Sequence, residues 1–198
     1  MRNRNRTLRG VEMSRFMVTN LPFQGLRIIE RQRLSDDRGF LSRLFCATEL
    51  AAAGWHRPIA QINHTATSQR GTVRGLHYQC PPHAEVKLVT CLNGKSWHVA
   101  VDLRAGSPTL LQWHVEILSA IDNRALLIPE GFAHGYQTLC TNVELLYFHT
   151  AAYHPSAEAA LNARDPRLAI PWPLEITELS PKDAMHPLIN SKFEGISP

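Results

Sequence analysis

The 198 residues carry 44% apolar and 19% charged side chains at a formal net charge of +4, the balance of a soluble globular chain long enough for one sizeable core. No apolar run approaches the length of a membrane span, and no signal-peptide core is visible, so the cytoplasm is the expected location. Much of the positive charge sits on Arg2, Arg4, Arg6 and Arg9; residues 1–25 read as a basic, flexible arm and lead-in, and without the arm the chain is near neutral, which argues against nucleic acid or a membrane as partner.

In chain order, residues 26–30 form a first strand. A turn at 35–39 leads into a strand over 40–46. Residues 48–54 read as a short helix, capped by Thr48 and ended by Gly54. Residues 58–65 give the next strand, with Gln61 and Asn63 on one face at period two. The stretch 71–79 is a strand bearing Arg74 and His77, closed by Cys80-Pro81-Pro82. Three residues apart, Arg74 and His77 belong on opposite faces, and a bulge at Gly75 is needed to bring both to one cavity.

Strands over 86–92 and 95–103 are joined by Asn93-Gly94, a strong hairpin signal. In the second, Trp97, Val99, Val101 and Leu103 share one face, and His98, Ala100 and Asp102 share the other. Further strands fall at 110–118, 125–128, 133–139 and 143–149. Beyond Pro155, three prolines, Pro166, Pro171 and Pro173, bar regular structure. Ser180 and Asp183 make a capping box that opens a short terminal helix. About eight to ten short strands, with few helices and no βαβ alternation, predict an all-β barrel or jelly roll, one domain over 26–198. Cys46, Cys80, Cys91 and Cys140 form no CxxC pair and read as reduced thiols.

Several stretches carry a resemblance in the same order along the chain. They are Asp37-Arg38-Gly39-Phe40, Arg74-Gly75-Leu76-His77-Tyr78-Gln79, Lys87-Leu88-Val89 and Val99-Ala100-Val101-Asp102-Leu103-Arg104. Ser107-Pro108-Thr109, Ile128-Pro129-Glu130-Gly131-Phe132-Ala133-His134-Gly135, Glu144-Leu145-Leu146-Tyr147 and Leu179-Ser180-Pro181-Lys182-Asp183 follow. Together they resemble the dTDP-4-dehydrorhamnose 3,5-epimerase family, a branch of the cupin jelly rolls.

The resemblance implies removal of a proton beside the 4-keto group of a nucleotide-linked 6-deoxyhexose and its return to the opposite face, at C3, C5 or both. It implies no cofactor and no metal. Such chemistry needs a base, an opposed acid and a cation at the enolate oxygen. By resemblance His77 is the base, Asp183 its orienting carboxylate, Lys87 the cation and Tyr147 the acid. Arg74 and His134 hold the sugar and diphosphate, Arg38, Gln61 and Asn63 contact the nucleotide, and Tyr153 lies near the site. Relatives are homodimers with an exchanged N-terminal strand, and the same assembly is expected here.

From the residues alone, each has a plainer reading. Asp183 is the N3 residue of a cap, Lys87 a solvated strand lysine, Tyr147 a core tyrosine and His134 a packed residue. Asp102 and Arg104 pair structurally at a strand end.

The chain also departs from the family. Arg43 stands for a glutamate, Phe148 for a lysine, Ala152 for one of a tyrosine pair, Leu34 for an aromatic residue, and Glu85-Val86 for Gln-Gly. Two other classes compete. One is a metal cupin using His77, His83, Glu85 and His134, although position 79 of the His-x-His pattern is Gln. The other is a sugar-nucleotide-binding cupin without turnover.

Overall fold

A computed structural model describes residues 14–197. The arginine-rich arm lies outside the described residues. In chain order the elements are β1 (Phe16–Asn20), β2 (Arg27–Arg31), β3 (Arg33–Asp36), β4 (Gly39–Ser42), α1 (Ala47–Ala51), β5 (Gln61–Thr67), β6 (Thr72–Gln79), β7 (Lys87–Asn93), β8 (Lys95–Asp102) and β9 (Trp113–Ser119). They continue with β10 (Arg124–Ile128), β11 (Phe132–Thr138), β12 (Val143–His149), β13 (Glu158–Ala160), β14 (Glu178–Leu179) and α2 (Pro181–Ala184).

Two larger sheets make the body. One has the order β1-β2-β10-β7-β12-β5, and the other β13-β6-β11-β8-β9 with β14 added beside β6. This is the expected cupin-type jelly roll. Period-two alternation sorts the side chains into layers. Ile28, Val89, Leu126, Leu145 and Tyr147 of the first sheet meet Ala100, Phe132, Tyr136 and Leu118 of the second. The intervening residues Ile29, Leu88, Leu127 and Phe148 face outward and are covered by Leu50, Ala53 and Trp55 in and after α1. Trp97, Val99, Val101 and Leu103 share a face as expected, packed under Leu161, Leu168 and Trp172 of the proline-rich tail. Truncating a fully buried leucine such as Leu126 to alanine costs about 2–5 kcal/mol.

Several expectations are corrected. Asn93-Gly94 does not close a hairpin: Gly94 adopts φ 77°, but β7 lies in the first sheet and β8 in the second. The turn carries the chain across the sandwich. The link from β11 to β12 makes the same crossing. Part of the lead-in is a strand, since β1 pairs along its length with β2. The helix begins at Ala47, one residue before Thr48, with Cys46 at its N-cap and no side-chain cap. The 40–46 strand ends at Ser42. The tail contributes β13, antiparallel to β6, and β14, parallel to it.

The expected irregularity at Gly75 is present. Between the pairs His134↔His77 and Tyr136↔Arg74 the register of β6 against β11 shifts, so Arg74 and His77 reach the same cavity. Glycine is needed on both strands here. A Cβ on Gly75, at φ +124°, would sit 2.5 Å from Gly135 Cα; one on Gly135 would sit 2.5 Å from Leu76 Cδ2.

Candidate active site

The cavity opens between the two sheets, with a volume of about 230 Å³, and Arg74, His77, Lys87, His134, Tyr147 and Tyr153 line it. On the wall built by β6, His77 Nε2 lies 2.7 Å from Asp183 Oδ1. The sequence neighbours of Asp183 explain its arrival there. β14 runs parallel to β6 at Thr72 and Val73, and α2 starts immediately after it. Ser180 caps α2 by accepting from the Asp183 backbone N–H at 3.0 Å. The cap therefore uses the main chain of Asp183 and leaves its carboxylate for His77. The cap and the His77 contact thus use different atoms of Asp183.

Burial alone would push the Asp183 carboxyl up; the hydrogen bond and charge of His77, with Ser180 and the Gly75 backbone, outweigh it and leave the group below the usual carboxylate range. An ionised Asp183 accepts the Nε2 proton, so Nδ1 is the ring nitrogen able to take another.

Beside His77, across the β6–β11 ladder, stands His134. Its Nε2 lies 3.0 Å from His98 Nδ1, and His98 Nε2 lies 2.8 Å from Ser96 Oγ. Burial holds His98 down to about 3. Burial, then the neighbouring His98, Lys87, His77 and His149, holds His134 well below the ordinary imidazole value. The His98 and His134 rings are therefore neutral at physiological pH, and His134 offers a hydrogen-bonding group without charge.

The facing wall belongs to the first sheet. His149 of β12 pairs across the strands with Gln61 of β5 and Lys87 of β7. Lys87 Nζ donates to the His77 carbonyl at 3.0 Å and lies 3.1 Å from Glu85 Oε1. Tyr147, two residues before His149 on the same face, is buried edge-on to His134 at 6.1 Å. Burial raises its hydroxyl well above 10, so Tyr147 keeps its proton and can give it up only to a strong base such as an enolate.

Other expected residues fall at the margins. Gln61 lines the cavity and accepts from the Tyr153 backbone N–H at 2.9 Å. Tyr153 is half-exposed at the mouth, donating to Glu158 at 2.8 Å. Asn63 is exposed on β5 and reaches Gln61 rather than the cavity. Arg38 is not brought to the cavity of its own chain. It caps the β3–β4 hairpin with its guanidinium on Asp36 and is 89% exposed. Asp102 and Arg104 pair as expected, at 2.7 Å.

The departures are placed too. Phe148 points away from the cavity and stacks on Phe45 at 5.7 Å, so the missing lysine is a packing change. Arg43 pairs with Glu49 near α1. The four candidate metal-cupin residues do not gather: His83 instead stacks on His154 at 3.9 Å. Among the described residues, the set with ligand atoms mutually within 4.8 Å is His77, Asp183 and His186.

Sequence reasoning missed the roles of Gln79, Glu85, His98 and His149. Gln79 donates to the Ala152 carbonyl at 3.2 Å and accepts from the His154 N–H at 2.7 Å, fixing the loop that carries Tyr153. Period-two alternation from Tyr147 would have found His149 on the cavity face.

Comparison with known proteins agrees with this geometry. The family profile described as dTDP-4-dehydrorhamnose 3,5-epimerase matches residues 20–191. A Pseudomonas aeruginosa dTDP-4-dehydrorhamnose 3,5-epimerase is 42% identical over 169 residues, covering 84% of this chain and 92% of that one. Its Salmonella typhimurium counterpart is 41% identical over 165 residues, 82% and 90% of the two chains. The crystal structure of a Legionella pneumophila dTDP-6-deoxy-D-glucose-3,5-epimerase in complex with dTDP-4-keto-L-rhamnose superimposes with a TM-score of 0.85 at 39% identity, covering 92% of this chain and 99% of that one. With the profile, the relatives and the fold in agreement over most of its length, this chain belongs to the dTDP-4-dehydrorhamnose 3,5-epimerase family.

Proposed function

We propose that this protein epimerises a dTDP-linked 4-keto-6-deoxyhexose at C3, C5 or both, as a step in deoxysugar biosynthesis of the rhamnose type. The observation that carries the reading is the pair of opposed proton groups in one cavity. His77, 2.7 Å from Asp183, stands on one wall and buried Tyr147 on the other. His77 removes the proton next to the keto group through Nδ1, and its new charge is balanced by Asp183. The electron pair moves onto the keto oxygen, where Lys87 stabilises the enolate. Tyr147 returns a proton to the opposite face, and reverse proton transfers with solvent restore both groups. Arg74, His134, Gln61 and Tyr153 hold the substrate.

Arg38 and Asn63 serve the nucleotide in a homodimer. The β3–β4 hairpin presents exposed Leu34, Phe40 and Leu41, an apolar surface suited to a second copy. Docked there, Arg38 meets the partner's nucleotide rather than its own. Four free cysteines suit the reducing cytoplasm. Among the described residues, no helix is long and apolar enough to cross a membrane.

The test is incubation with dTDP-4-keto-6-deoxyglucose in heavy water, with NMR at C3 and C5. Deuterium uptake with changed coupling constants is expected. Intact protein that leaves both positions protiated refutes the reading.

A further inference from the structure

A line of buried polar side chains continues inward from the cavity wall. It consists of His134 on β11, His98 and Ser96 on β8, and Cys91 on β7, all at 5% exposure or less. His134 Nε2 lies 3.0 Å from His98 Nδ1, and His98 Nε2 lies 2.8 Å from Ser96 Oγ. The two ring planes meet at only 10°, as a bond made in the plane of both imidazoles needs. Ser96 in turn hydrogen-bonds Cys91, and Cys91 Sγ donates to the Asn93 and Gly94 carbonyls at 3.1 and 3.4 Å. The line therefore runs from the cavity to the turn where the chain crosses between the sheets.

The last link sets the direction of all the others. A carbonyl only accepts, so the thiol proton is spent on Asn93 and Gly94. Burial pushes that thiol up to about 11, so the proton stays in place. A sulfur whose proton is spent can only accept from Ser96. The Ser96 O–H thus points at Cys91, and its oxygen accepts from His98 Nε2–H. Burial keeps His98 and His134 neutral, with one proton on each ring. His98 Nδ1 is then bare and accepts from His134 Nε2–H, which leaves His134 Nδ1 bare as well. That nitrogen has no protein partner among the described residues and, unlike His149 Nε2, is not sealed in, and its ring lines the cavity. Lys87, His77 and His149 also face His134, but each is engaged elsewhere. Lys87 and His149 share Glu85, at 3.1 and 2.9 Å, and His77 holds Asp183.

We propose that Cys91, Ser96 and His98 are positioning residues that lock His134 in the Nε2–H tautomer, so that its bare Nδ1 is a neutral acceptor for a hydroxyl of the substrate sugar. The inference rests on the proposed function for the sugar, whereas the tautomer belongs to the free enzyme. A keto oxygen has no proton to give, so a bare Nδ1 turns it away and takes a hydroxyl instead. The keto group is thereby left to Lys87. An N–H at the same place would draw the keto oxygen toward His134 and away from the lysine that stabilises the enolate.

The test is nitrogen NMR of histidine-labelled protein, in which protonated and bare ring nitrogens give separate resonances. His134 is assigned by the signals missing in His134→Gln. In the wild type, Nε2 is expected to be protonated and Nδ1 bare, and the Nδ1 signal moves on saturation with dTDP-4-keto-6-deoxyglucose. Ser96→Ala leaves His98 Nε2–H without an acceptor, and Cys91→Ala frees the Ser96 proton to turn to His98. Both variants reverse the line, put the His134 proton on Nδ1 and lower kcat/KM roughly 10-fold, the effect of one misdirected hydrogen bond. Cys91→Ser, whose hydroxyl still donates to the two carbonyls, keeps the wild-type tautomer. A wild-type His134 protonated at Nδ1, or alanine variants that lose rate with the tautomer unchanged, overturns the proposal. So does an Nδ1 signal unmoved by a sugar that the wild type turns over. Failure of the functional reading shows separately, as a wild type that gives the keto-sugar no deuterium.

Discussion

Replacing Asp183 by alanine separates its two duties. The helix cap is made by the Asp183 backbone N–H to Ser180 Oγ at 3.0 Å, so Asp183→Ala keeps it. What is lost is the 2.7 Å contact with His77. Hydrogen bonds to charged groups contribute about 1.5–3 kcal/mol. His77 is 39% exposed and regains water, so the stability loss is expected at the low end, about 1.5 kcal/mol. Turnover has no such relief. Without its carboxylate, His77 loses its tautomer, its orientation and the partner of its cation. A fall of about 10²- to 10⁴-fold is expected, or about 3–5 kcal/mol of barrier. Ser180→Ala is the mirror experiment. It removes the cap, costs about 1 kcal/mol, and leaves the His77–Asp183 contact in place. Denaturant melts and kcat/KM on the keto-sugar should therefore move together in neither variant. If Ser180→Ala loses as much turnover as Asp183→Ala, or Asp183→Ala turns over normally, the assignment of Asp183 to the chemistry is wrong.

His77→Asn is expected to keep the fold and to lose turnover by roughly 10²- to 10⁴-fold, and near-normal rates would remove His77 as the base. In Tyr147→Phe, His77 still abstracts and returns a proton on its own face. This variant should take up deuterium while forming little inverted product, and NMR that shows unchanged inversion would exclude Tyr147 as the donor. Chelators should leave the rate unchanged; loss in EDTA reversed by a divalent metal would favour the metal-cupin chemistry. His98 has a folded value of about 3 against an ordinary 6.5. The unfolded chain thus takes up its proton first, and the stability linked to His98 is full above about pH 6.5 and drains away toward pH 3. Thermal melts across that range should fall less steeply with acid in His98→Gln, and parallel curves for the two proteins would contradict the burial argument.

Much of the fold was legible where the signal is local. Alternation at Trp97, Val99, Val101 and Leu103 gave the outer face of β8, and Gly75 announced the break that brings Arg74 and His77 together. Asn93-Gly94 shows the limit. Its turn chemistry was read from two residues, but which strand pairs with which depends on neighbours far along the chain. β13 and β14, three and two residues long, are too short to show a period and exist because β6 offers them an edge. The site divides in the same way. His77, Lys87, Tyr147 and Asp183 were visible through the family resemblance, and His98 and His149 were not. A buried imidazole paired with Ser96, or one sharing a carboxylate with a lysine, leaves no pattern in its own neighbourhood. Arg38 was expected at a nucleotide and sits on an exposed hairpin, paired with Asp36.

The close approach of Gly75 and Gly135 bears on how such a cavity can diversify. Two backbones in contact leave no slack, so the wall that carries His77 is anchored by main chain and cannot be tuned by resizing side chains at that crossing. The opposite wall has no such glycine crossing: Gln61, Lys87, Tyr147 and His149 project from strands paired through antiparallel ladders, where a side chain can be resized without moving the backbone. Changes that let the enzyme accept a different sugar should therefore accumulate on β5, β7 and β12, while β6 and β11 keep the point of proton removal constant.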